Sequence, residues 1–362
     1  MEQISAFEAT GITTQTHQAS YHWQAPSNIA IVKYWGKKKG QIPANPSLSF
    51  TLNNCRTITT VKTLPKTTAA PFEFSFAFEG QPKPSFEPKI QAFFERIAPY
   101  APYLSTHRFE IDSTNTFPHS SGIASSASGM AALALCLVSL ERDLNPEMTD
   151  ELFYQKASFF ARLGSGSACR SVKGNAVVWG ETASIPGSSN LYGTSFPFAL
   201  HETFATAKDA ILLVDKGEKQ VSSTVGHELM HNHPYAETRF AQAHTNLAQL
   251  RILLEKGDWT AFIALMESEA LTLHSMMMTS MPYYILMKPN TLEIIQKIWA
   301  FRQTTELPVG FTLDAGANVH VIYAESAAIE VEKFIENELK QHCQNGQYIL
   351  DHVGFGASTI DG

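Results

Sequence analysis

The chain has 362 residues, 44% of them hydrophobic and 17% charged, which is enough apolar material for a sizeable core and excludes disorder for most of its length. Lys and Arg number 27 against 34 Asp and Glu, a formal charge of -7, so the basic excess of a nucleic-acid binder is missing; a local cationic pocket for a small anion is compatible with that balance. The 4 cysteines (Cys55, Cys136, Cys169, Cys343) form no C-x-x-C pair, the first residues are polar and carry acids, and the longest apolar run, Met130 to Leu140, is too short for a bilayer. These features predict a soluble protein of a reducing cytoplasm with no membrane or nucleic-acid partner.

Along the chain, residues 1–20 read as a polar arm. NIAIVKYWGK (Asn28–Lys37) follows, then a turn at Gly40 and Pro43. Alternation in Ser47–Leu52 and in Thr57–Thr63 predicts paired strands, and the alternating Phe72, Phe74, Phe76 and Phe78 mark another half-buried one. A helix is expected from Pro88 to Ile97 and a strand over Arg108–Thr114. The small and apolar residues of Ser125–Glu141 predict a closely packed helix; a second covers Met148–Leu163, opened by Asn145 as N-cap with Pro146 behind it. Asn175–Glu181 returns to strand, and the Gly-, Ser- and Asn-rich segment Pro186–Ser195 marks the division between two lobes, 1–193 and 194–362. Beyond it, Asp209–Lys216 reads as a buried strand and Ala236–Glu255, Thr260–Thr272 and Leu292–Thr304 as helices. GFTLD and NVHVIYA suggest a strand–turn–strand, followed by a helix over Ala327–His342. Mixing without strict alternation predicts an α+β class.

Four segments could carry chemistry. FPHSSGIASSASG (Phe117–Gly129) runs a Pro- and Ser-rich loop into a helix start, where exposed N–H groups and the positive dipole end favour a phosphate; the same letters also read as a Ser-rich N-cap on a buried helix. RLGSGSACRS (Arg162–Ser171) sets small residues beside Arg170, a planar fork able to clamp a carboxylate or phosphate, or else ends a helix in a plain turn; Cys169 within it reads as a buried small apolar residue rather than a nucleophile. In GFTLDAGANVHV, Asp314 stands where an apolar strand meets a small-residue turn and can orient or deprotonate a hydroxyl, although turns favour Asp for their own hydrogen bonds. Lys33 interrupts the apolar run of NIAIVKYWGK; a lysine is costly to bury, so it is expected to face an anion, with Tyr34 and Trp35 as pocket wall or core.

A competing motif is His227-Glu228-Leu229-Met230-His231, the H-E-x-x-H pattern of zinc peptidases. Two His at i and i+4 share one helix face, with Glu255, Glu267 or Glu269 as candidate third ligands. Pro234 follows three residues on, however, leaving little helix behind the pattern.

Together NIAIVKYWGK, IPANPSLSFTL, FPHSSGIASSASG, GSGSACRS, VSSTVGH and LDAGAN, in that order over nearly the whole chain, resemble the diphosphomevalonate decarboxylases of the GHMP kinase superfamily. The resemblance implies a two-lobe fold, with an N-terminal lobe like ribosomal protein S5 domain 2 and a ferredoxin-like C-terminal lobe. It implies ATP-dependent decarboxylation of mevalonate 5-diphosphate to isopentenyl diphosphate within isoprenoid synthesis, by a cytoplasmic homodimer. On these positions Pro118, Ser120, Ser121, Gly122, Ser125 and Ser126 match the ATP phosphate loop, and Asp314, Lys33 and Arg170 the catalytic groups, Arg170 holding the substrate carboxylate. Tyr34, Lys37, Ser165, Gly166, Ser167 and Ser223 match substrate-side positions. Mg2+ is expected mainly through ATP, with the Ser125 hydroxyl as a candidate ligand and no protein cage. Three departures are Asn175, where Gly-Gly is frequent, Ala317 in place of the Pro of DAGPN, and Thr224, where some relatives carry Arg. Phosphomevalonate decarboxylase and mevalonate 3-kinase are sibling alternatives, and Asp314 disfavours the kinase-only one.

Overall fold

A computed structural model describes residues 4–9, 16–118, 123, 125–217 and 223–360, with Ser223 and Thr224 in backbone only. The first half opens with β1 (Ala19–Val32), a small hairpin of β2 (Lys37–Lys38) and β3 (Ile42–Pro43), and the long β4 (Ser47–Pro65). Then come β5 (Glu73–Phe78), β6 (Gln81–Pro82), α1 (Glu87–Ile97), β7 (His107–Asn115), α2 (Ser125–Leu144), α3 (Asp150–Gly164), β8 (Ala176–Trp179) and β9 (Thr194–Ser195). The second half holds α4 (Glu202–Ala205), β10 (Lys208–Leu212), α5 (Ser223–Glu228), α6 (Ala236–Lys256), α7 (Trp259–Met278), α8 (Pro289–Thr305), β11 (Val309–Leu313), β12 (Val319–Tyr323), α9 (Ala328–Phe334), β13 (Tyr348–His352) and β14 (Ser358–Thr359).

Two sheets result. The larger runs β14-β1-β4-β7-β5-β6, with β8 and then β9 extending from the start of β4; the smaller is β11-β12-β10-β13, antiparallel throughout. The chain's last strand thus returns to the first sheet, against Trp23 and Gln24 of β1. Helix α2 lies over β1 and β4 and under α3, which explains why its Ala, Leu and Ser positions are buried on almost every side. Small residues let backbones approach closely enough to close that layer.

The two strands expected over Ser47–Leu52 and Thr57–Thr63 are one strand, β4, paired along its length with β1. Its middle is irregular: the register jumps from Pro26↔Arg56 to Asn28↔Thr51. There Asp351 of β13 accepts from the N–H groups of Asn53 (2.9 Å), Asn54 (2.7 Å) and Cys55 (2.7 Å). A carboxylate from the second sheet thereby satisfies donors that the ladder leaves unpaired.

Smaller differences follow from local chemistry. The N-cap of α3 is Thr149, whose hydroxyl accepts from Leu152 N–H at 3.2 Å, while Asn145 closes a preceding turn through its carbonyl. The arm expected over residues 1–20 already contains the start of β1 and a buried Phe7, stacked 4.5 Å from Phe159. The last expected helix loosens after Phe334 into a π-turn and a 3-10 turn. All four cysteines are buried and free. No helix among the described residues is long and apolar enough to cross a membrane.

Candidate active site

A cleft of about 880 Å³ opens where the ends of several of these elements meet. The residue just past β1 brings in Lys33; the 3-10 turn after α3 (Gly166–Ser171) brings in Arg170; the residue just past β11 brings in Asp314. Its described lining carries Lys33, Lys37, Lys89, Arg96 and Arg170 against the two carboxylates Glu228 and Asp314. In a chain of net charge -7 this is a locally cationic hollow, suited to an anionic ligand.

Lys33 is 1% exposed, and its Nζ lies 3.6 Å from Asp314 Oδ1 and 2.5 Å from the Ala30 carbonyl oxygen. Burial pushes its ammonium below the ordinary lysine range and Arg170 adds to that, while Asp314 and Glu269 pull it back up. Its backbone is gripped from the second half of the chain: Glu269 accepts from Lys33 N–H at 2.8 Å, and Arg239 Nη2 donates to the Lys33 carbonyl at 3.1 Å. Asp314 keeps a third of its side chain exposed to the cleft, and its carbonyl accepts from His274 Nε2 at 3.1 Å.

Arg170 is 2% exposed and donates to Ser49 Oγ at 2.6 Å and Ser47 Oγ at 2.8 Å, both on β4. No carboxylate oxygen among the described residues comes within ion-pairing distance of its guanidinium, whose Cζ lies over the Trp179 ring, 5.7 Å from the centroid. Burial lowers its basicity, with Cys169, Asp314 and Tyr34 opposing. A buried cation matched by neutral hydroxyls is unusual unless an anion completes it.

Tyr34 packs edge-on to Trp179, centroids 4.5 Å apart, and its buried hydroxyl has no partner among the described residues. Gly166 is needed beside it, because a Cβ there would stand 2.9 Å from Trp179 Cη2 and 3.0 Å from Tyr34 Oη. Ser165 Oγ meets Ser126 Oγ at 3.4 Å, which joins the Arg162–Ser171 motif to the first turn of α2. A second hollow of about 320 Å³ lies behind it, walled by Phe76, Phe78 and Phe86, and it shares Lys89 and Ser126 with the first.

Of the residues picked from sequence, Lys33, Tyr34, Lys37, Ser126, Ser165, Gly166, Ser167, Arg170 and Asp314 line the larger cleft, and Ser125 lines the second hollow with Ser126. Pro118 is exposed and lines neither. Ser120, Ser121, Gly122 and the side chain of Ser223 lie outside the described residues. Sequence reasoning missed Lys89 and Arg96; with Ala92 they form an i, i+3, i+7 stripe on α1, a pattern that marks one helix face.

The zinc alternative fails. Helix α5 ends at Glu228, so His231 sits in an exposed turn rather than one helical turn beyond His227. His227 Nδ1 accepts from Gly36 N–H at 2.9 Å, Glu255 pairs with Arg251, Glu267 with Arg302, and Glu269 with Arg239. No group of three His, Cys, Asp or Glu among the described residues could hold a metal ion. Cys169 is no nucleophile either, since burial pushes its thiol up to about 12.

Residues 25–190 match the family model for the diphosphomevalonate decarboxylase-like N-terminal domain, and residues 210–354 that for the mevalonate 5-diphosphate decarboxylase C-terminal domain. The diphosphomevalonate decarboxylase of Candida albicans is 30% identical over 318 residues, covering 83% of each chain. Mevalonate diphosphate decarboxylase from Staphylococcus aureus superposes with a TM-score of 0.81 at 25% identity, over 95% of this chain and 99% of that one. A solved complex of MDDEF with MVAPP, AMPPCP and magnesium gives a TM-score of 0.81 at 26% identity, over 96% and 100%.

Proposed function

The chain belongs to the diphosphomevalonate decarboxylase family, and from that premise we propose that it converts mevalonate 5-diphosphate and ATP into isopentenyl diphosphate, ADP, phosphate and CO2. The observation that carries this reading is Arg170, a buried guanidinium bonded to two serine hydroxyls and lining the same cleft as the Lys33–Asp314 pair. A phosphorylated hydroxy acid offers this cleft a carboxylate for Arg170 and a hydroxyl for Asp314 to orient.

A tertiary hydroxyl is a poor leaving group, so it is first phosphorylated by the terminal phosphoryl group of ATP. Asp314 accepts the hydroxyl's hydrogen bond, orients it for attack and takes its proton as the phosphoryl group transfers, and Lys33, 3.6 Å from that carboxylate, steadies the charge that develops there. As the new phosphate departs, the carbon gains positive character. The bond to the carboxylate then breaks, its electron pair forms the double bond, and CO2 leaves. Arg170 holds the carboxylate in line through its planar fork.

For the nucleotide, the Phe-walled hollow of about 320 Å³ suits a flat base, and the shared Lys89 and Ser126 lead its phosphates past the start of α2 into the larger cleft. That start also puts Ser125 on the path. With only two carboxylates in the described lining of the larger cleft, a magnesium ion would be held chiefly by the ATP phosphates, and the Ser125 hydroxyl lining the second hollow would be its candidate protein ligand. Magnesium supplies charge neutralisation on those phosphates. Tyr34, Lys37, Ser165, Gly166 and Ser167 bind the remainder of the substrate, Tyr34 through its otherwise unpartnered hydroxyl.

The deciding assay follows ADP release and trapped CO2 together, with mevalonate 5-diphosphate, its monophosphate and mevalonate as substrates. Equal ADP and CO2 from the diphosphate is the expected result. ADP without CO2 would replace the decarboxylase reading with the 3-kinase, and preference for the monophosphate would replace it with the sibling decarboxylase.

A further inference from the structure

His227 is the one residue of the H-E-x-x-H stretch whose surroundings call for an explanation. Its ring is 5% exposed, lies 4.3 Å from the Tyr34 centroid and 4.6 Å from that of Trp35, and lines the main cleft. A backbone N–H can only donate, so the 2.9 Å contact from Gly36 N–H makes Nδ1 an acceptor and leaves the proton on Nε2. Gly36 can make that contact because it adopts φ +102, and a Cβ there would come within 3.0 Å of Phe240. Burial, with Lys37 and Arg170 nearby, holds the imidazole well below its ordinary range and keeps it neutral. The Nε2–H has no hydrogen-bond acceptor among the described residues, and the residue lines the cleft, which leaves that donor for a bound ligand.

The cleft's charges fall into two groups. Lys33 lies 3.6 Å from Asp314 and both act on Arg170 or are acted on by it, whereas Lys37 is acted on by Arg96 and Glu228, all lining the same cleft. His227 lines the same cleft as Lys37 and Arg170, both of which act on it electrostatically, and its ring lies 4.3 Å from that of Tyr34, whose hydroxyl has no partner among the described residues. A substrate with a carboxylate at one end and a phosphate ester at the other presents phosphate oxygens there. The geometry points to His227 as a substrate-binding residue, donating its Nε2–H to a phosphate oxygen of the phosphorylated acid; this rests on the functional reading above. A neutral donor adds directional selection at that oxygen without adding a further charge to a cleft already crowded with cations.

Two variants separate this role from simple packing. In His227→Asn the amide oxygen can replace Nδ1 as acceptor for Gly36 N–H, but the reach of Nε2 is lost; in His227→Gln an amide N–H sits where Nε2 was. Binding of mevalonate 5-diphosphate is measured by calorimetry without ATP, and turnover with ATP. His227→Asn is expected to weaken substrate binding by roughly tenfold, as for a hydrogen bond to a charged acceptor. His227→Gln is expected to recover to within about threefold of the parent, and the KM for ATP to stay within about twofold in both. Unchanged binding in His227→Asn, or equal losses in both variants with a parallel loss for ATP, would overturn the assignment. A parent protein that binds the diphosphate without turnover would sink the decarboxylase reading yet leave the His227 comparison standing, whereas a parent that fails to bind it sinks both.

Discussion

Lys33 and Asp314 are unequal partners: the ammonium is 1% exposed, the carboxylate 33%. A ligand in the cleft therefore reaches Asp314 first, and Lys33 acts behind it. Asp314→Asn keeps the shape and removes the charge, so turnover should fall by about 10²- to 10⁴-fold, the range expected when a positioned base is lost. Nucleotide affinity and the melting temperature should stay close to the parent; turnover within about tenfold of the parent in a coupled ADP assay would remove Asp314 from the mechanism. Arg170 makes a different demand. Its Nε and Nη1 are engaged by Ser49 and Ser47, which orients the remaining donors of the fork. Arg170→Lys retains a charge but neither serine contact nor a two-pronged grip, and kcat/KM should drop by roughly 10²-fold or more. A loss under about fivefold in steady-state kinetics would mean that no carboxylate is clamped there.

Much of the element pattern could be read in the chain because local periodicity and burial agree. The Phe-x-Phe alternation of β5, the Ala-rich α2 and the long amphipathic stretches α6 to α8 all lie where their spacing puts them. The reading failed where a distant group decided the outcome. Nothing near Asn53–Cys55 announces that Asp351, some three hundred positions on, will satisfy their N–H groups and let β4 run on as one strand. The site divides the same way. Lys33, Arg170 and Asp314 were visible because charge interrupting apolar or small residues is conspicuous, whereas Lys89 and Arg96 look like ordinary surface of α1 until the cleft forms beside them. H-E-x-x-H misled because the letters say nothing of where α5 stops. The turn after α3 permits a test at this scale. Gly166 has no space for a Cβ against Trp179 and Tyr34, and both are ring systems held by their own packing. Gly166→Ala should therefore displace Tyr34 and raise the KM for substrate by about tenfold, with a destabilisation of roughly 1–3 kcal/mol from overpacking. Denaturant titration unchanged from the parent would show that the turn yields instead.

One of the polar joints between the two halves of the chain sits directly behind the chemistry. Glu269 of α7 accepts from Arg239 Nη1 at 2.9 Å and Nη2 at 2.6 Å and from Lys33 N–H at 2.8 Å, with both side chains of the ion pair 0% exposed. Breaking a buried pair strands the other charge, so Glu269→Gln should cost about 3–5 kcal/mol and lower turnover along with melting temperature, because Lys33 loses its anchor. Calorimetry showing the melting temperature unmoved would contradict that coupling.

Close by on α7, His274 donates its Nε2–H to the Asp314 carbonyl at 3.1 Å, and burial, reinforced by Lys33, pushes its pKa from 6.5 down to about 4. In the unfolded chain this imidazole takes up a proton near 6.5 and in the folded chain near 4, so between those values the unfolded state binds more protons. His274 thus contributes stability that is whole above pH 6.5 and drains away as pH falls toward about 4, by up to about 3 kcal/mol at 1.36 kcal/mol per pKa unit. His274→Gln keeps a donor for the carbonyl and cannot titrate. Its melting temperature should fall less than that of the parent between pH 7.5 and pH 5, so the two converge or cross in acid. Parallel curves across that range would mean that the proton uptake setting acid stability occurs elsewhere, and that the joint between Asp314 and α7 stands intact whichever charge His274 carries.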